Sequence, residues 1–478
     1  MRTGSRSFAG IVTAVLLAGC ALQPPPKPSE IQAEAIPNVQ VPQNWTAASV
    51  PPGAVTDDWL MTFGDNRLEA LVNEAIIYNL DLRIAAVRVE QAAAYAKLAG
   101  ASIYPVVNFL GHGGGKSGGD GSGLNVLGLF ASWELDIWGR ARSQREVGRL
   151  QYEAVVADSA YARQSIAAMV AKAWILAIEA HAQLAIAQDV VRLSEQSVGL
   201  AQDRLRVGNG DEYDVALGQA SLDSSRDAAR QLAFGYEQAL RALEVLIGRY
   251  PAAVVDVPVA LPAMPPPVPV GLPSELLERR PDVIAAERRV AAAFNNVAEA
   301  KAARLPRISL TASATAVSSD LVVLQSHANP VLSLGGSLLA PIFSGYALEA
   351  QVDIRAAEQN LAIAQYGTVA QRAFGEVEGA LSAEFASDQR EEILTRSVAS
   401  NARALELAQV RYKVGSSDLR SVLQQNVALY GARTALLHVQ SDRRIQRVNL
   451  YLALGGNFEK NPATASADDK RTDAAAAN

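Results

Sequence analysis

The sequence predicts a mostly α-helical chain that also carries β-strands and is written as two structural repeats. Three observations lead there. A nonapeptide occurs twice, LAQDRLRVG at Leu200–Gly208 and LAQVRYKVG at Leu407–Gly415, identical at six of nine positions. Two stretches of 68 residues, Gly139–Arg206 and Gly345–Tyr412, hold no proline and read as very long helices. Short segments with period-two alternation stand before each long helix, as in ISLTASATA at Ile308–Ala316. A repeat at long period has to be read before any single element, because it sets the plan of the fold.

The spacing of other residues extends the repeat. Gly208 precedes Gly248 by 40 residues, and Gly415 precedes Gly455 by 40. Asp81 precedes Pro105 by 24, and Asp282 precedes Pro306 by 24. Leu222 matches Leu429 and Arg226 matches Arg433 at the same offset. The chain therefore divides into a first repeat over 57–250, a Pro-rich linker over 251–273 and a second repeat over 274–456.

What precedes the first repeat reads as export and anchoring. Arg2 and Arg6 are basic, Phe8–Leu17 is a short apolar run, and Leu17-Ala18-Gly19-Cys20 follows. This is the pattern of a secretory signal over 1–19, too short for a membrane span. It resembles the lipobox of bacterial lipoproteins, in which the cysteine becomes the first mature residue and carries acyl chains. Cys20 is the sole cysteine, so no intramolecular disulfide can form. In lipoproteins of this kind an Asp after the Cys retains the protein at the inner membrane; Ala21 here implies the outer membrane. Each buried methylene of an acyl chain contributes about 0.8 kcal/mol, so two or three chains anchor stably. Residues 20–56, with QPPPKPSE and VPPG, read as an extended lipid-anchored tether. Residues 457–478, rich in Ala, Asp and Lys, read as a disordered tail.

Each repeat opens with a helix, Asn66–Ser102 and Glu275–Arg304, with charges among apolar residues at helical spacing. Ser274 after Pro273 is the expected N-cap of the second. Both stop at a proline, Pro105 and Pro306, which disfavours helix in the residue before it. Strands follow. Ile308, Leu310, Ala312, Ala314 and Ala316 face one way, and Ser309, Thr311, Ser313 and Thr315 the other. In VLSLGGSLLAPI, Leu332, Leu334, Leu338 and Ile342 oppose Ser333 and Ser337. The same period serves a half-buried soluble sheet or a tilted strand crossing a bilayer. VVNFLGHGGG and LNVLGLFASWELDIW supply two less regular strands in the first repeat. No later stretch strings eighteen apolar residues together, so any crossing falls to strands.

The long helices would each rise about 100 Å at 1.5 Å per residue. Each ends at a Val-Gly pair, Val207-Gly208 and Val414-Gly415, where glycine suits a left-handed stop. Asp211 and Asp418 then stand near the next helix start, where an acid meets the positive end of the helix dipole. The returning helices, Asp214–Gly248 and Asp418–Leu454, are about half as long. Each long helix can thus lie against two shorter ones stacked end to end, a plan that suits a tube wall; a soluble coiled coil is the other reading of the helices.

Composition excludes some functions. The net charge is −6 with a pI near 5.5, which argues against nucleic acid, since that partner takes a basic face. LGHGGGKSGG at Leu110–Gly119 imitates both a phosphate-binding loop and a nucleophile elbow around Ser117. The first needs glycine where Leu110 stands, and both need a helix straight after; GGDGSGLNV does not start one cheaply. The four histidines, His112, His181, His327 and His438, have no catalytic or metal-ligand spacing. The stretch reads as a hairpin tip, and the chain as no enzyme and without cofactor beyond the lipid on Cys20.

Five segments resemble the TolC-like outer-membrane factors, in particular the lipoprotein branch of tripartite drug-efflux systems. They are WELDIWGRARS (Trp133–Ser143), GLPSELLERRPDVIAAERRV (Gly271–Val290), AEAKAARLPRISLTAS, APIFSG and VNLYLALGG. The resemblance runs from Trp59 to Phe458. It implies a homotrimer in the outer membrane, each chain giving four strands to a twelve-stranded barrel, with long coiled-coil helices forming a hollow α-barrel through the periplasm. Four strands alone are too few, since the smallest closed barrels take about eight. It also implies two partners, a periplasmic adaptor and an inner-membrane pump of RND type, and a passive exit duct for small molecules such as antibiotics. A duct for secreted protein on the same scaffold is the alternative, with a lipid-anchored hydrolase using Ser117 and a structural coiled-coil lipoprotein as readings of other classes. Carried over by position, Val207, Gly208, Val414 and Gly415 would touch the adaptor, and Tyr412 would bond Asp214 to hold a closed gate. The aspartate ring that the best-known member carries after the second turn is replaced here by Ser421 and Gln424, with Asp418 nearby.

Overall fold

The computed structural model describes residues 26–47, 53, 55, 57–113, 125–318 and 331–459. Cys20, the 1–19 signal, Ser117 with most of the glycine run, and the tail from residue 460 lie outside the described residues. In chain order the elements are α1 (Pro28–Ala35), α2 (Asn66–Tyr78), α3 (Leu80–Ala101), β1 (Val106–His112), β2 (Asn125–Leu135), α4 (Arg140–Arg206), α5 (Glu212–Leu246), α6 (Leu276–Arg279), α7 (Pro281–Ala302), β3 (Arg307–Ser318), β4 (Val331–Leu339), α8 (Ala347–Lys413) and α9 (Leu419–Ala453). The long helices α4 and α8 hold 67 residues each, and the returning helices α5 and α9 hold 35 each. The chain clusters into two compact units, each drawing on both halves of the sequence. One comprises Met1–Val39, Val87–Asp158 and Asp282–Val369, and the other Gln40–Ala86, Ser159–Pro281 and Ala370–Asn478.

Among the described residues the first unit contains one four-stranded antiparallel sheet, in the order β1-β2-β3-β4. Its register aligns the alternation of all four strands. Phe109, Leu129, Ala314 and Leu332 form one cross-strand row, and Val107, Ala131, Ala312 and Leu334 the next on the same face. The opposite face carries Ser132, Thr311 and Gly335 in one row, and Asn108, Phe130, Ser313 and Ser333 in another. The apolar face is uncovered, with Leu332 80% and Leu334 90% exposed. Gly128 sits where Thr315 crosses closely; an added Cβ there would lie 2.6 Å from the Thr315 methyl. Ile342, expected on the apolar face of the last strand, lies beyond its end at Leu339, because Pro341 cannot donate to a ladder.

The strand-to-helix corner explains the motif WELDIWGRARS. Asp136 accepts the main-chain N–H groups of Ala141 at 3.0 Å and Arg142 at 2.8 Å, satisfying donors that the start of α4 leaves open. Gly139 makes the corner at φ +79°, and Trp138 donates its indole N–H to Pro306 O at 2.7 Å. Within the same unit α4 meets α3 closely enough that a Cβ on Gly148 would lie 2.7 Å from that of Ala99.

Four expectations are corrected. The helix expected over Asn66–Ser102 breaks at Asn79, whose side-chain oxygen accepts the N–H groups of Asp81 and Leu82 at 2.9 and 3.1 Å while its amide donates to Leu246 O at 2.8 Å. A side chain that caps a new helix so well ends the old one. The helix expected over Glu275–Arg304 breaks at Arg280, held extended at ψ 124° before Pro281. Ser274 is not an N-cap; it lies inside a 3₁₀ turn over Pro273–Glu275 that starts after Leu272. The tether, read as simply extended, contains α1, with Ile31 and Ile36 buried, and ends at a buried Trp45.

In the second unit that Trp45 packs on Phe374 and donates to Val270 O at 3.1 Å, and Glu378 accepts from Thr46 and Ala47. The Pro-rich linker is held by arginines of α9: Arg444 donates to Pro262 O, and the fully covered Arg447 reaches Pro265 O and pairs with Glu384. Arg280 is buried and bonds Glu376 at 2.6 Å and Ala453 O at 3.1 Å, tying the break before α7 to the end of α9. Among the described residues one helix, α4, is long and apolar enough to cross a membrane; 61% of its most apolar stretch is buried within the protein, as in a core helix.

Candidate functional site

Both Val-Gly turns close in the same way, within the second unit. Gly208 N bonds Leu205 O and Asn209 N bonds Arg204 O, at 3.0 and 2.9 Å. Gly415 N bonds Tyr412 O and Ser416 N bonds Arg411 O, at 3.1 and 2.9 Å. These paired bonds end a helix by a left-handed residue, and Gly208 and Gly415 adopt it at φ +74° and +77°. The next helices start at once. Asp211 caps α5 by accepting from Asp214 N, and Asp418 caps α9 by accepting from Ser421 N, both at 2.9 Å. Val207 and Val414 stand out at the two tips, 69% and 73% exposed.

Tyr412 lies between the two hairpins. It is buried in a cluster with Ala201, Leu405, Leu419, Val422 and Leu429. From there its hydroxyl donates to Asp214 at 3.2 Å. Burial first, and the Asp214 carboxylate second, push its phenol above the ordinary value of 10.0. The neutral phenol is therefore the form present at physiological pH, and it is the form that can donate.

Sequence reasoning missed Arg204. Its guanidinium donates to Tyr412 O at 2.5 Å, lies 4.5 Å over the Tyr412 ring, and donates twice to Asn209 O in its own turn. It thus ties the first turn to the second helix while seating the tyrosine. A second missed link joins Arg420 to the Tyr213 hydroxyl at 2.6 Å. Beyond the second turn, Ser421 spends its hydroxyl on Asp418 at 2.5 Å, and Gln424 is exposed. Those bonds to Ser421 hold the Asp418 carboxyl below its usual range. Among the described residues no group of three or more His, Cys, Asp or Glu could hold a metal ion.

An open sheet with one greasy face, two 67-residue helices and a paired helical tip define an outer-membrane channel rather than a site of covalent chemistry. Known proteins agree. The cation efflux system protein CusC of Escherichia coli is 30% identical over 461 residues, covering 94% of this chain and 98% of the relative. The antibiotic efflux pump outer membrane protein ArpC of Pseudomonas putida is 30% identical over 475 residues, covering 94% of each. The solved structure of the outer-membrane channel OprN matches with a TM-score of 0.81 at 29% identity, covering 88% of this chain and 99% of that one. The chain belongs to the outer membrane efflux protein family, which matches it over residues 71–249 and 272–456. It is an outer-membrane efflux channel of TolC-like fold, a passive duct and not an enzyme, with its helices in the periplasm.

Proposed function

We propose that three copies of this chain join into one water-filled exit duct, fed through a periplasmic adaptor by an inner-membrane pump of RND type. The open sheet carries this reading. Its four strands leave β1 and β4 as edges whose outer sides have no partner strand among the described residues. Unpaired edge groups are costly in lipid, so the sheet has to be completed by strands from other copies. Twelve strands close a barrel; four do not. The lipid on Cys20 adds a second hold on the outer membrane.

The adaptor meets the tips through Val207, Gly208, Val414 and Gly415, and the bond from Tyr412 to Asp214 holds the tip closed until the adaptor engages. The cargo is small molecules, antibiotics foremost. ArpC is named for antibiotic efflux and CusC for cation efflux, so the scaffold is not tied to one cargo and selection rests with the pump. The test is reconstitution in a planar bilayer. Discrete conductance steps are expected, and with them restored drug resistance when the chain is supplied to a strain lacking its own channel of this class. A protein that inserts but passes no ions overturns the reading.

A further inference from the structure

The two repeats can be compared position by position at the tip, and the comparison exposes a mismatch. Within one chain the first hairpin grips the second through Leu200, Arg204 and Asp214. Leu200 packs on the buried tip cluster, Arg204 holds the Tyr412 carbonyl and ring, and Asp214 takes the Tyr412 hydroxyl. Their counterparts in the second repeat are Leu407, Arg411 and Ser421, and the counterpart of Tyr412 is Leu205. None of these counterparts is matched up in the same way. Leu407 is 44% exposed and Leu205 37%. The Arg411 side chain is exposed and has no hydrogen-bond or ion-pair partner among the described residues. The grip used inside the chain is thus present in a second, unused copy, with its two sides on the two hairpins of one molecule.

We propose that Arg411 clasps a second copy of this chain, its guanidinium taking the main-chain carbonyl of Leu205 there, and that this seam between copies is the weaker one, at which the tip parts. The contact continues the grip inside the chain, since the second repeat stands to the next copy's first repeat as the first stands to the second. The weakness follows from the two substitutions. Leu205 offers neither a hydroxyl nor an aromatic face, so the charge-on-ring contact is lost. Ser421 is shorter than the aspartate it replaces and already donates its hydroxyl to Asp418. Opening then begins at the three seams between copies and is completed when each Tyr412–Asp214 pair parts. This proposal rests on the trimeric reading above.

Two experiments test it. In the first, Leu205→Cys with Ser421→Cys is compared with Tyr412→Cys with Asp214→Cys, each bridged by a bismaleimide long enough to span a tyrosine–carboxylate contact. The first pair is expected to link chains into dimers and trimers on a denaturing gel, and the second to leave single chains. If the Leu205 and Ser421 pair also gives only single chains while the protein keeps a three-chain mass in mild detergent, the seam is overturned and the trimer stands; a one-chain mass overturns both. In the second, Leu205→Tyr with Ser421→Asp installs the missing bond between copies. Conductance is expected to fall several-fold below wild type and to recover when Arg411→Ala is added. Wild-type conductance in a well-folded double variant overturns the claim that this seam is the one that opens.

Discussion

The Tyr412 phenol has to stay protonated to donate to Asp214, and its surroundings keep it so. Its raised value means that the contribution is whole below pH 10 and is lost as pH climbs through the higher value in the folded protein. One such bond is worth about 0.5–1.5 kcal/mol, or roughly a 2- to 10-fold bias per copy. Tyr412→Phe should therefore raise open-channel conductance at neutral pH by that order. Wild type should approach the variant only in strong alkali, beyond the usual phenol range, where the variant itself stays flat. Equal conductance of the two proteins at neutral pH would remove Tyr412 from the gate. The pairing of Tyr412 with Asp214 was available only through the family resemblance, because the two stand 198 residues apart. Arg204 was in view as an identical arginine of the repeated nonapeptide. Nothing local distinguishes it from Arg411, which occupies the same repeat position and whose side chain has no hydrogen-bond or ion-pair partner among the described residues; only the packing of two hairpins does.

At the scale of elements, local physics accounts for most boundaries. Pro105 and Pro306 end helices, Val-Gly pairs end the long ones, and period-two alternation marks β3 from the sequence alone. The breaks at Asn79 and Arg280 were hidden inside runs of good helical periodicity, where a cap competes with a pattern and wins through long-range bonds. Asn79 is held by Leu246 O from the far end of the repeat. Its neighbour in space, Gly248, turns at φ +80°, and a Cβ there would lie 2.7 Å from Tyr78 O. Gly248→Ala should cost about 1–3 kcal/mol from backbone strain, before the clash is counted. Gly235, inside α5 with nothing within 4 Å of an added Cβ, is the control: Gly235→Ala should be neutral or stabilising by about 0.5–1 kcal/mol. Thermal dissociation of the purified assembly checks both. A Gly248→Ala protein as stable as the Gly235→Ala protein would contradict the close packing of this corner. The docking of Trp45 was not legible, because the Pro-rich composition around it reads as an extended tether and its partners, Phe374 and Val270 O, lie far along the chain.

For the whole molecule, the repeat and the greasy alternation were legible because both are one-dimensional patterns. The ambiguity between a soluble sheet and a membrane sheet was not resolvable from period alone, as both bury one face. What decides it is the register, which lines up apolar rows across all four strands and leaves them uncovered, with two edges open. An isolated chain of this kind exposes in lipid what no chain can leave unpaired. The most direct measurement is the native mass of the purified protein in mild detergent. The account predicts an assembly of three chains of 50.6 kDa each, less the signal and with its lipid. A stable, folded single chain would contradict it.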